Sequence, residues 1–399
     1  MCYNILIIDF FSPNQAGENC GRGKSIMLLK LLLTTLVCVG LAFLENKQLT
    51  DGPLGERKRF RIPWCLILIM VFLTCYSGFR TYYNDTSHYI SYFQDAEPLD
   101  KFLADPENLD PLHNPLYYLF NSAFRELTDN DSLFLLVCAA LSVCPMLWFA
   151  RKTAKQDFPM ALYLFVAFGT YVFTLAAIKQ SIAMGILCIA VLALEKKKYL
   201  PFFLLVVVAA LVHTYAILFV ILPFFCGKPW RLRSFLLLAA ILIAMLTFET
   251  TIATFLEYTD RIGKNVSEAE LFDGHRMNTI RVAVYGIVPL VTLIYRERLD
   301  PYMERIHRIL INMSIFSFVF MLPGTITGAN LFGRVSTYFE ISTVCILPWL
   351  IDTLFNERSA YLLKRIAVFA FLLFFLYDMR NFDSLFYAMD LRGFLQTLK

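Results

Sequence analysis

The sequence predicts an all-α protein: a polytopic bundle of transmembrane helices with about 11–13 membrane segments, some of them short or re-entrant. Two observations support this fold class. Of the 399 residues, 58% are hydrophobic and only 17% are charged, whereas soluble domains are about half apolar and one quarter charged. Apolar runs of about 15–22 residues recur from Ile26 to Tyr377, and a helix needs about 20 apolar residues to cross a bilayer.

Composition also argues against several classes of site. The ten cysteines mostly lie inside apolar runs, and their spacing matches no zinc or redox pattern. The net charge of +4 is too small to favour nucleic acid as a partner. We predict no metal site, no cofactor and no nucleotide-binding loop.

A single membrane domain is predicted over residues 26–380, with a polar segment at each end. Residues 1–25 form a leader or a disordered N-terminus, because a stretch with turn chemistry precedes the first apolar run. Residues 381–399 form a C-terminal tail. Two long extracytoplasmic segments are expected, at 80–131 and at 257–281.

The distribution of charge sets the predicted topology. Short clusters of Lys and Arg recur between the apolar runs, and such clusters favour the cytoplasmic side. Within the first outer segment, Pro115–Leu127 is too short and too polar for a span and is predicted to be amphipathic or re-entrant. The predicted spans are 26–44, 62–79, 132–150, 158–178, 179–195, 234–256, 281–295, 307–323, 332–351 and 361–378.

Residues 199–226 are too few for two full spans. Two helical legs of about 14 residues would each reach about 21 Å, less than the roughly 30 Å of the hydrocarbon core. The turn would then lie near His213, below the outer surface. One interpretation is an outward-facing cavity with His213 near its floor, and the other is a thin, tilted hairpin that reaches the surface.

Several basic residues lie on the face that the positive-inside rule should deplete. They are Arg80, Lys179, Arg276, Arg281 and Arg334. Each has an ordinary explanation, such as a snorkelling lysine or an arginine that anchors a helix end. Their conjunction on one face favours a site for a polyanionic group such as a diphosphate, because Arg and Lys both bind phosphate oxygens.

Asp85 and His213 are the candidate acid–base groups. Asp85 lies just beyond a predicted span with Arg80 and several tyrosines, and it either pairs with Arg80 or binds a substrate hydroxyl. His213 follows an apolar run and is either a hydrogen-bonded core residue or a base for an attacking hydroxyl. The spacing of the histidines is not that of a metal site.

These residues belong to an ordered set of motifs that resembles the EpsG family of Wzy-type polysaccharide polymerases. The motifs, in order over about residues 27–355, are Arg80-xxx-Asn84-Asp85-xxx-Tyr89, Lys179-Gln180-x-Ile182-Ala183, Ala209-xxx-His213 and Arg334-xxx-Tyr338. Members of the family usually carry arginine at the position of Lys179, so the charge is kept but bidentate phosphate geometry is lost. They usually carry serine at the position of Tyr215.

The resemblance implies an enzyme of the bacterial cytoplasmic membrane that requires no nucleotide. It would join oligosaccharide repeat units carried on undecaprenyl diphosphate into a surface polysaccharide at the outer face, with a flippase and a chain-length regulator of the same pathway as partners. We predict His213 and Asp85 as catalytic residues. The predicted substrate-binding residues are Arg80, Tyr89, Lys179, Gln180, Arg276, Arg281, Arg334 and Tyr338, with Lys179, Arg276 and Arg334 on the diphosphate.

Two other functions are alternatives. A multi-span glycosyltransferase that uses a polyprenyl-phosphate sugar would also place an acidic residue in the first outer loop, as Asp85 is placed. A lipid-linked glycan flippase or another transporter should show internal repeats and ionisable residues at the midplane. The sequence shows no convincing repeat, and its polar residues lie toward one face.

Overall fold

A computed structural model describes residues 13–50, 63–247, 276–326, 328–380 and 388–389. Most of these residues are helical, and the predicted all-α polytopic bundle is confirmed. The helices are α1 (Pro13–Thr50), α2 (Trp64–Gly78), α3 (Thr86–Gln94), α4 (Leu99–Ala104), α5 (Pro115–Leu127), α6 (Asp131–Ala154), α7 (Phe158–Ala167), α8 (Thr170–Ala176), α9 (Ile178–Glu195), α10 (Tyr199–Val212), α11 (Leu232–Leu246), α12 (Thr279–Ile294), α13 (Arg296–Leu299), α14 (Arg305–Met321), α15 (Ala329–Leu354) and α16 (Glu357–Arg380).

Within the described residues, five stretches are long and apolar enough to cross a membrane. They are Leu28–Asn46, Asp131–Ala167, Ile178–Glu195, Arg305–Thr325 and Glu357–Met379. Helix α12 qualifies only together with Arg296–Tyr302, from which it is bent by 76°. Helices α2 and α10 are apolar but shorter. The chain is therefore a multi-pass membrane protein that contains short and broken membrane segments as well as full spans.

The described chain divides into two compact units. The flanking unit comprises residues 13–220, 357–380 and 388–389, and the central unit comprises residues 221–356. In the flanking unit, α6 packs against α2 and α9, and α9 packs against α10. In the central unit, α14 packs against α11, α12 and α15.

Close helix packing in the flanking unit depends on two glycines. A Cβ at Gly185 of α9 would lie 2.7 Å from the carbonyl oxygen of Leu141 in α6. A Cβ at Gly78 of α2 would lie 2.6 Å from the Cα of Leu136, also in α6. Small residues let the backbones of membrane helices approach closely. These two glycines therefore allow α9 and α2 to pack tightly against α6.

The prediction of one span at 158–178 was wrong. Helix α7 ends at Ala167, and α8 begins after Gly169, whose φ of 96° is left-handed and is accessible to glycine without strain. A second break at Ala177, with φ −114° and ψ 75°, separates α8 from α9. Hydropathy and length do not report such breaks. Their consequence is that α9 begins at Ile178, which places Lys179 in its first turn.

The predicted break near His213 is confirmed. Helix α10 ends at Val212, and His213 is extended, with φ −151° and ψ 113°. A 3₁₀ segment of 12 residues, Thr214–Phe225, follows. At about 2.0 Å per residue this segment reaches roughly 24 Å, against about 21 Å for α10. Both legs are shorter than a bilayer core.

The structure describes the predicted ends and outer loops of the chain only in part. Helix α1 begins at Pro13, within the predicted leader. Strand β2 (Ala388–Met389), in the predicted tail, pairs antiparallel with β1 (Arg80–Tyr82). The predicted helix at Pro115–Leu127 is confirmed as α5. Residues 248–275 lie outside the described residues. They include the end of the predicted span 234–256 and most of the predicted loop 257–281.

Candidate functional site

The predicted site residues fall into both compact units. The flanking unit carries Arg80, Asp85, Tyr89, Lys179, Gln180 and His213, and the central unit carries Arg276, Arg281, Arg334 and Tyr338.

Lys179 occupies a cage of three tyrosines in the flanking unit. Its ammonium nitrogen lies 5.7 Å from the ring centroid of Tyr92, 5.5 Å from that of Tyr117 and 5.1 Å from that of Tyr118. The same nitrogen donates a hydrogen bond of 3.3 Å to the Tyr118 hydroxyl. A ring face within about 6 Å attracts a cation by roughly 0.5–2 kcal/mol, so the cage fixes the position of the ammonium group.

The backbone around Lys179 does not favour a positive charge. Lys179 is the second residue of α9, where the positive end of the helix dipole repels a cation. The helix that follows is apolar enough to span a membrane. The ammonium group thus contacts tyrosines at a helix end that disfavours its charge, and its binding of a ligand stays a prediction.

The cage is open on one side and closed on the other. Tyr92 is 46% exposed, and its ring stacks against the exposed His88 at a centroid distance of 6.4 Å. Tyr118 and Lys179 are half-buried. Burial raises the pKa of Tyr118, so its hydroxyl remains protonated at neutral pH. Tyr92 and His88 therefore form the exposed edge of the cage.

Polar groups form the closed side of the cage. Tyr117 and Asn121 lie one turn apart on α5 and are 1% and 0% exposed. Within the described residues, neither the Tyr117 hydroxyl nor the Asn121 amide makes a hydrogen bond of normal geometry. Buried polar groups normally have a partner. Tyr117 and Asn121 therefore form a buried polar pair on α5. Gln180, which is 2% exposed, lies in the protein interior.

Arg80 is buried rather than displayed at the surface, at 2% exposure. Its Nε donates to the Thr86 hydroxyl at 3.1 Å, and its Nη1 donates to the carbonyl and hydroxyl oxygens of Ser77. These bonds connect the end of α2 to the start of α3. This geometry fits a role in positioning the loop that carries Asp85, and a direct substrate contact by Arg80 stays a prediction.

Asp85 and Tyr89 adjoin the tyrosine cage through α3. Asp85 is half-buried and directly precedes α3, and its carbonyl accepts a hydrogen bond of 3.1 Å from the amide of Tyr89. Tyr89 is 8% exposed, and its ring lies edge-on to that of Tyr117 at 6.3 Å. Helix α3 thus connects Asp85 to Tyr117, one of the three tyrosines of the cage.

His213 is held against the N-terminal end of α5. The next residue, Thr214, donates from its amide to Asn114 Oδ1 at 2.9 Å and from its hydroxyl to the Leu112 carbonyl at 3.0 Å. Asn114 directly precedes α5, in the left-handed conformation that asparagine tolerates. The half-buried His213 ring lies edge-on to the ring of Tyr215 at 5.5 Å. Tyr215 is the residue at whose position the family resemblance implies serine.

Helix α5 is therefore the common support of the site in this unit. It contributes Tyr117 and Tyr118 to the cage, packs against α3, which follows Asp85, and packs against α10, which ends beside His213. We call Lys179, its three tyrosines, Asp85 and His213 the α5 cluster.

In the central unit, Met277 links the segments that carry Arg276 and Arg334. The amide of Met277 donates to the Gly324 carbonyl at 2.6 Å. The Met277 methyl packs against Gly333, where an added Cβ would lie 3.1 Å away. Arg276 directly precedes Met277, and Arg334 directly follows Gly333. Each arginine is thus the chain neighbour of one member of the Met277–Gly333 contact.

These arginines are more accessible than Arg80. Arg276 is exposed, whereas Arg281, in the first turn of α12, and Arg334 are half-buried. Arg334 Nε donates to Asn330 Oδ1 at 3.1 Å. One turn after Arg334, Tyr338 is 2% exposed and faces the interior. We call Arg276, Arg281 and Arg334 the arginine cluster.

Comparison with protein-family models finds a match over residues 63–389, described as the EpsG family. The chain belongs to the EpsG family. It is thus one of a family of Wzy-type polysaccharide polymerase-like membrane proteins, and the resemblance seen in the motifs is confirmed. The match begins at the residue before α2 and ends at β2. No curated protein and no solved structure matches the chain.

Sequence reasoning missed the residues of this EpsG protein that surround Lys179. Tyr92, Tyr117 and Tyr118 lie 61 or more residues away in the chain, and tyrosines are common at membrane interfaces for other reasons. The amphipathic pattern of Pro115–Leu127 was the available signal, since a helix of this kind must bury one face against something. The direction of that face was not apparent from the sequence.

A buried carboxylate in the central unit was also missed. Glu340 of α15 is 3% exposed and accepts a hydrogen bond from the Tyr285 hydroxyl of α12. Glu340 is the only acidic residue between Phe332 and Leu350. Ionisable groups inside membrane segments are usually functional or paired with a polar partner, and here the tyrosine supplies that partner.

Within the described ranges, no three His, Cys, Asp or Glu side chains are grouped so that they could hold a metal ion.

Proposed function

We propose that this protein is a membrane glycosyltransferase that polymerises oligosaccharide repeat units carried on undecaprenyl diphosphate. The reaction takes place at the outer face of the bacterial cytoplasmic membrane and produces a surface polysaccharide. A flippase and a chain-length regulator of the same pathway are expected partners. The observation that carries the proposal is the caged ammonium group of Lys179, which lies on the side that charge distribution assigns to the outside.

The reaction forms one glycosidic bond for each diphosphate that leaves. A hydroxyl oxygen of the acceptor unit attacks the anomeric carbon of the donor glycan, and the bond from that carbon to the donor diphosphate breaks. The leaving diphosphate gains negative charge, which a fixed cation stabilises best in a preorganised site. Lys179 fits this role because three rings hold its ammonium group.

The hydroxyl proton is accepted by His213. An imidazole can take a proton near neutral pH without a large shift of its pKa. Asp85 orients the hydroxyl through a hydrogen bond. The neutral Tyr118 and the exposed Tyr92 offer aromatic surface to sugar rings. No step requires a nucleotide.

The arginine cluster holds the other lipid diphosphate. Polymerisation uses two lipid-linked substrates, and the diphosphate of the acceptor stays intact during the transfer. It needs binding without extra stabilisation in the transition state. The accessible Arg276 and the half-buried Arg281 and Arg334 suit that role, since guanidinium groups bind phosphate bidentately.

Glycan analysis of a deletion strain tests this proposal. Loss of long chains with retention of single capped repeat units would support a polymerase. Loss of one sugar from every repeat unit would instead indicate a transferase that uses a polyprenyl-phosphate sugar. Accumulation of lipid-linked units on the cytoplasmic side would indicate a flippase.

A further inference from the structure

A charged surface lies at the bend after α12 in the central unit. We call it the shelf, and its charged residues are Lys228, Arg231, Arg296, Glu297 and Asp300. Helix α12 is apolar, and the following segment Arg296–Tyr302 turns away from it by 76°. Two adjoining cavities, of about 310 Å³ and 500 Å³, lie at this bend and share Arg296 and Glu297 as lining residues. The smaller cavity is closed on its other side by the segment from Lys228 to Leu232.

The charges in the smaller cavity leave two arginines available to a ligand. Three cations and two carboxylates line it, and Lys228 forms an ion pair with Asp300. Across the described part of the chain, neither Arg231 nor Arg296 forms an ion pair, and both are exposed. Outside this ion pair, two arginines face one carboxylate, Glu297, so the net charge of these groups is positive.

The segment that carries Arg231 is held in a fixed conformation. Trp230 has a left-handed φ of 56°, a conformation that a bulky residue keeps only where the surroundings enforce it. Its indole Nε1 donates to the Thr292 hydroxyl of α12 at 3.0 Å. Asn312 Nδ2 donates to the carbonyls of Phe225 and Gly227. The wall of the cavity is therefore preorganised.

Exposed apolar side chains adjoin this shelf. Leu232 is 71% exposed and Ile294 is 72% exposed, at the ends of α11 and α12 that adjoin the cavity. In a membrane helix such side chains face lipid tails. Tyr295 and Tyr302 are 38% and 62% exposed, and tyrosines lie at the level of lipid headgroups.

We propose that the shelf binds the phosphate headgroup of an anionic phospholipid. Arg231 and Arg296 contact the phosphate, and the acyl chains follow Leu232 and Ile294. The basic residues at this end assign it to the cytoplasmic side, where basic pockets between membrane helices recognise anionic headgroups. This site shares no residue with either cluster proposed for the transfer reaction and does not depend on that function.

The test measures thermal unfolding of the purified full-length protein in bilayer discs. Discs of phosphatidylglycerol should raise the unfolding temperature above that in discs of phosphatidylcholine. The double variant Arg231→Gln/Arg296→Gln should lose most of this shift, and Arg231→Lys/Arg296→Lys should keep part of it. The control Lys196→Gln/Arg358→Gln removes the same charge from two other exposed sites in basic segments and should keep the whole shift.

Three results would overturn the proposal. Equal shifts in the wild type and the Arg231→Gln/Arg296→Gln variant would remove these arginines from any lipid site. An equal loss in the control variant would reduce the effect to general surface charge. Stabilisation by inorganic phosphate in phosphatidylcholine discs as large as that by phosphatidylglycerol would indicate a site for a free anion. Unfolding temperatures in phosphatidylcholine must match among all variants, which separates lost binding from misfolding.

Discussion

The α5 cluster and the arginine cluster present positive charge in two different ways. Lys179 is a compact ammonium group enclosed by three rings within 6 Å. The arginines are exposed or half-buried, and their backbone is set by a contact between a methionine and a glycine. A cation that cannot move suits a charge that develops during reaction, whereas accessible guanidinium groups suit a charge that is already present. Variants in the first cluster should therefore change kcat, and variants in the second should change KM.

His213→Gln is expected to have the largest effect. It keeps a hydrogen-bonding side chain and removes the titratable base, so kcat should fall by roughly 10²–10⁴-fold with little change in KM. Initial rates on lipid-diphosphate-linked repeat units in vesicles give both constants. Asp85→Asn should be milder. If Asp85→Asn is inactive while His213→Gln retains full activity, the two roles are reversed. If both variants remain fully active, the α5 cluster is not the active site.

Lys179→Ala should lower kcat by roughly 10²–10³-fold, which is typical of removing one preorganised contact to a developing charge. Lys179→Arg should be tolerated or improved, because a guanidinium group stacks on tyrosine rings and binds phosphate bidentately. Both variants are measured in the same vesicle assay. A change in KM alone for Lys179→Ala would place the lysine on a bound group that does not react.

Arg334→Ala should raise KM for the acceptor by roughly 10–100-fold, as expected for a lost charge-assisted hydrogen bond of about 1.5–3 kcal/mol. In cells the variant should lose long polymer while the protein remains in the membrane. The matched control is Arg358→Ala, which removes an exposed arginine from a basic segment elsewhere. Normal chain length in Arg334→Ala cells would exclude Arg334 from the site.

The helical bundle and the break at His213 could be predicted from the sequence, whereas the division of 158–178 and the tyrosines around Lys179 could not. The charge clusters and apolar runs predicted the bundle, and the shortage of residues in 199–226 predicted the break at His213, because both follow from the thickness of a bilayer. The division of 158–178 was not predicted, since it depends on the left-handed conformation of Gly169. Lys179 was found because its charge is costly in a membrane, but its tyrosines carry no such cost and gave no signal of their own.

Tyr118→Phe should have a small effect on the α5 cluster. The ring that faces the ammonium group remains and one hydrogen bond of 3.3 Å is lost, so kcat should fall only severalfold, in line with about 0.5–1.5 kcal/mol for a net hydrogen bond. Tyr118→Ala removes the ring as well and should approach the effect of Lys179→Ala. Wild-type activity of Tyr118→Ala, with Lys179→Ala impaired, would show that Tyr118 does not position the lysine.

The smallest expected effect on activity comes from Gly185→Ala, which tests packing behind the lysine. An added Cβ would lie 2.7 Å from the Leu141 carbonyl, so α9 must shift and the unfolding temperature should fall. Gly40→Ala in α1 is the control, because its Cβ would have no heavy atom within 4 Å. Thermal unfolding in detergent distinguishes them, and an equal unfolding temperature for both variants would argue against close packing at Gly185.

Reconstitution without nucleotide tests the central claim most directly. The purified protein in vesicles is supplied with labelled repeat units on undecaprenyl diphosphate and with no nucleotide sugar. The account predicts a ladder of products that grows by one repeat unit at a time, with one undecaprenyl diphosphate released for each new linkage, and no ladder with Lys179→Ala on the same timescale. A requirement for a nucleotide sugar, or release of a polyprenyl monophosphate in place of the diphosphate, would contradict it.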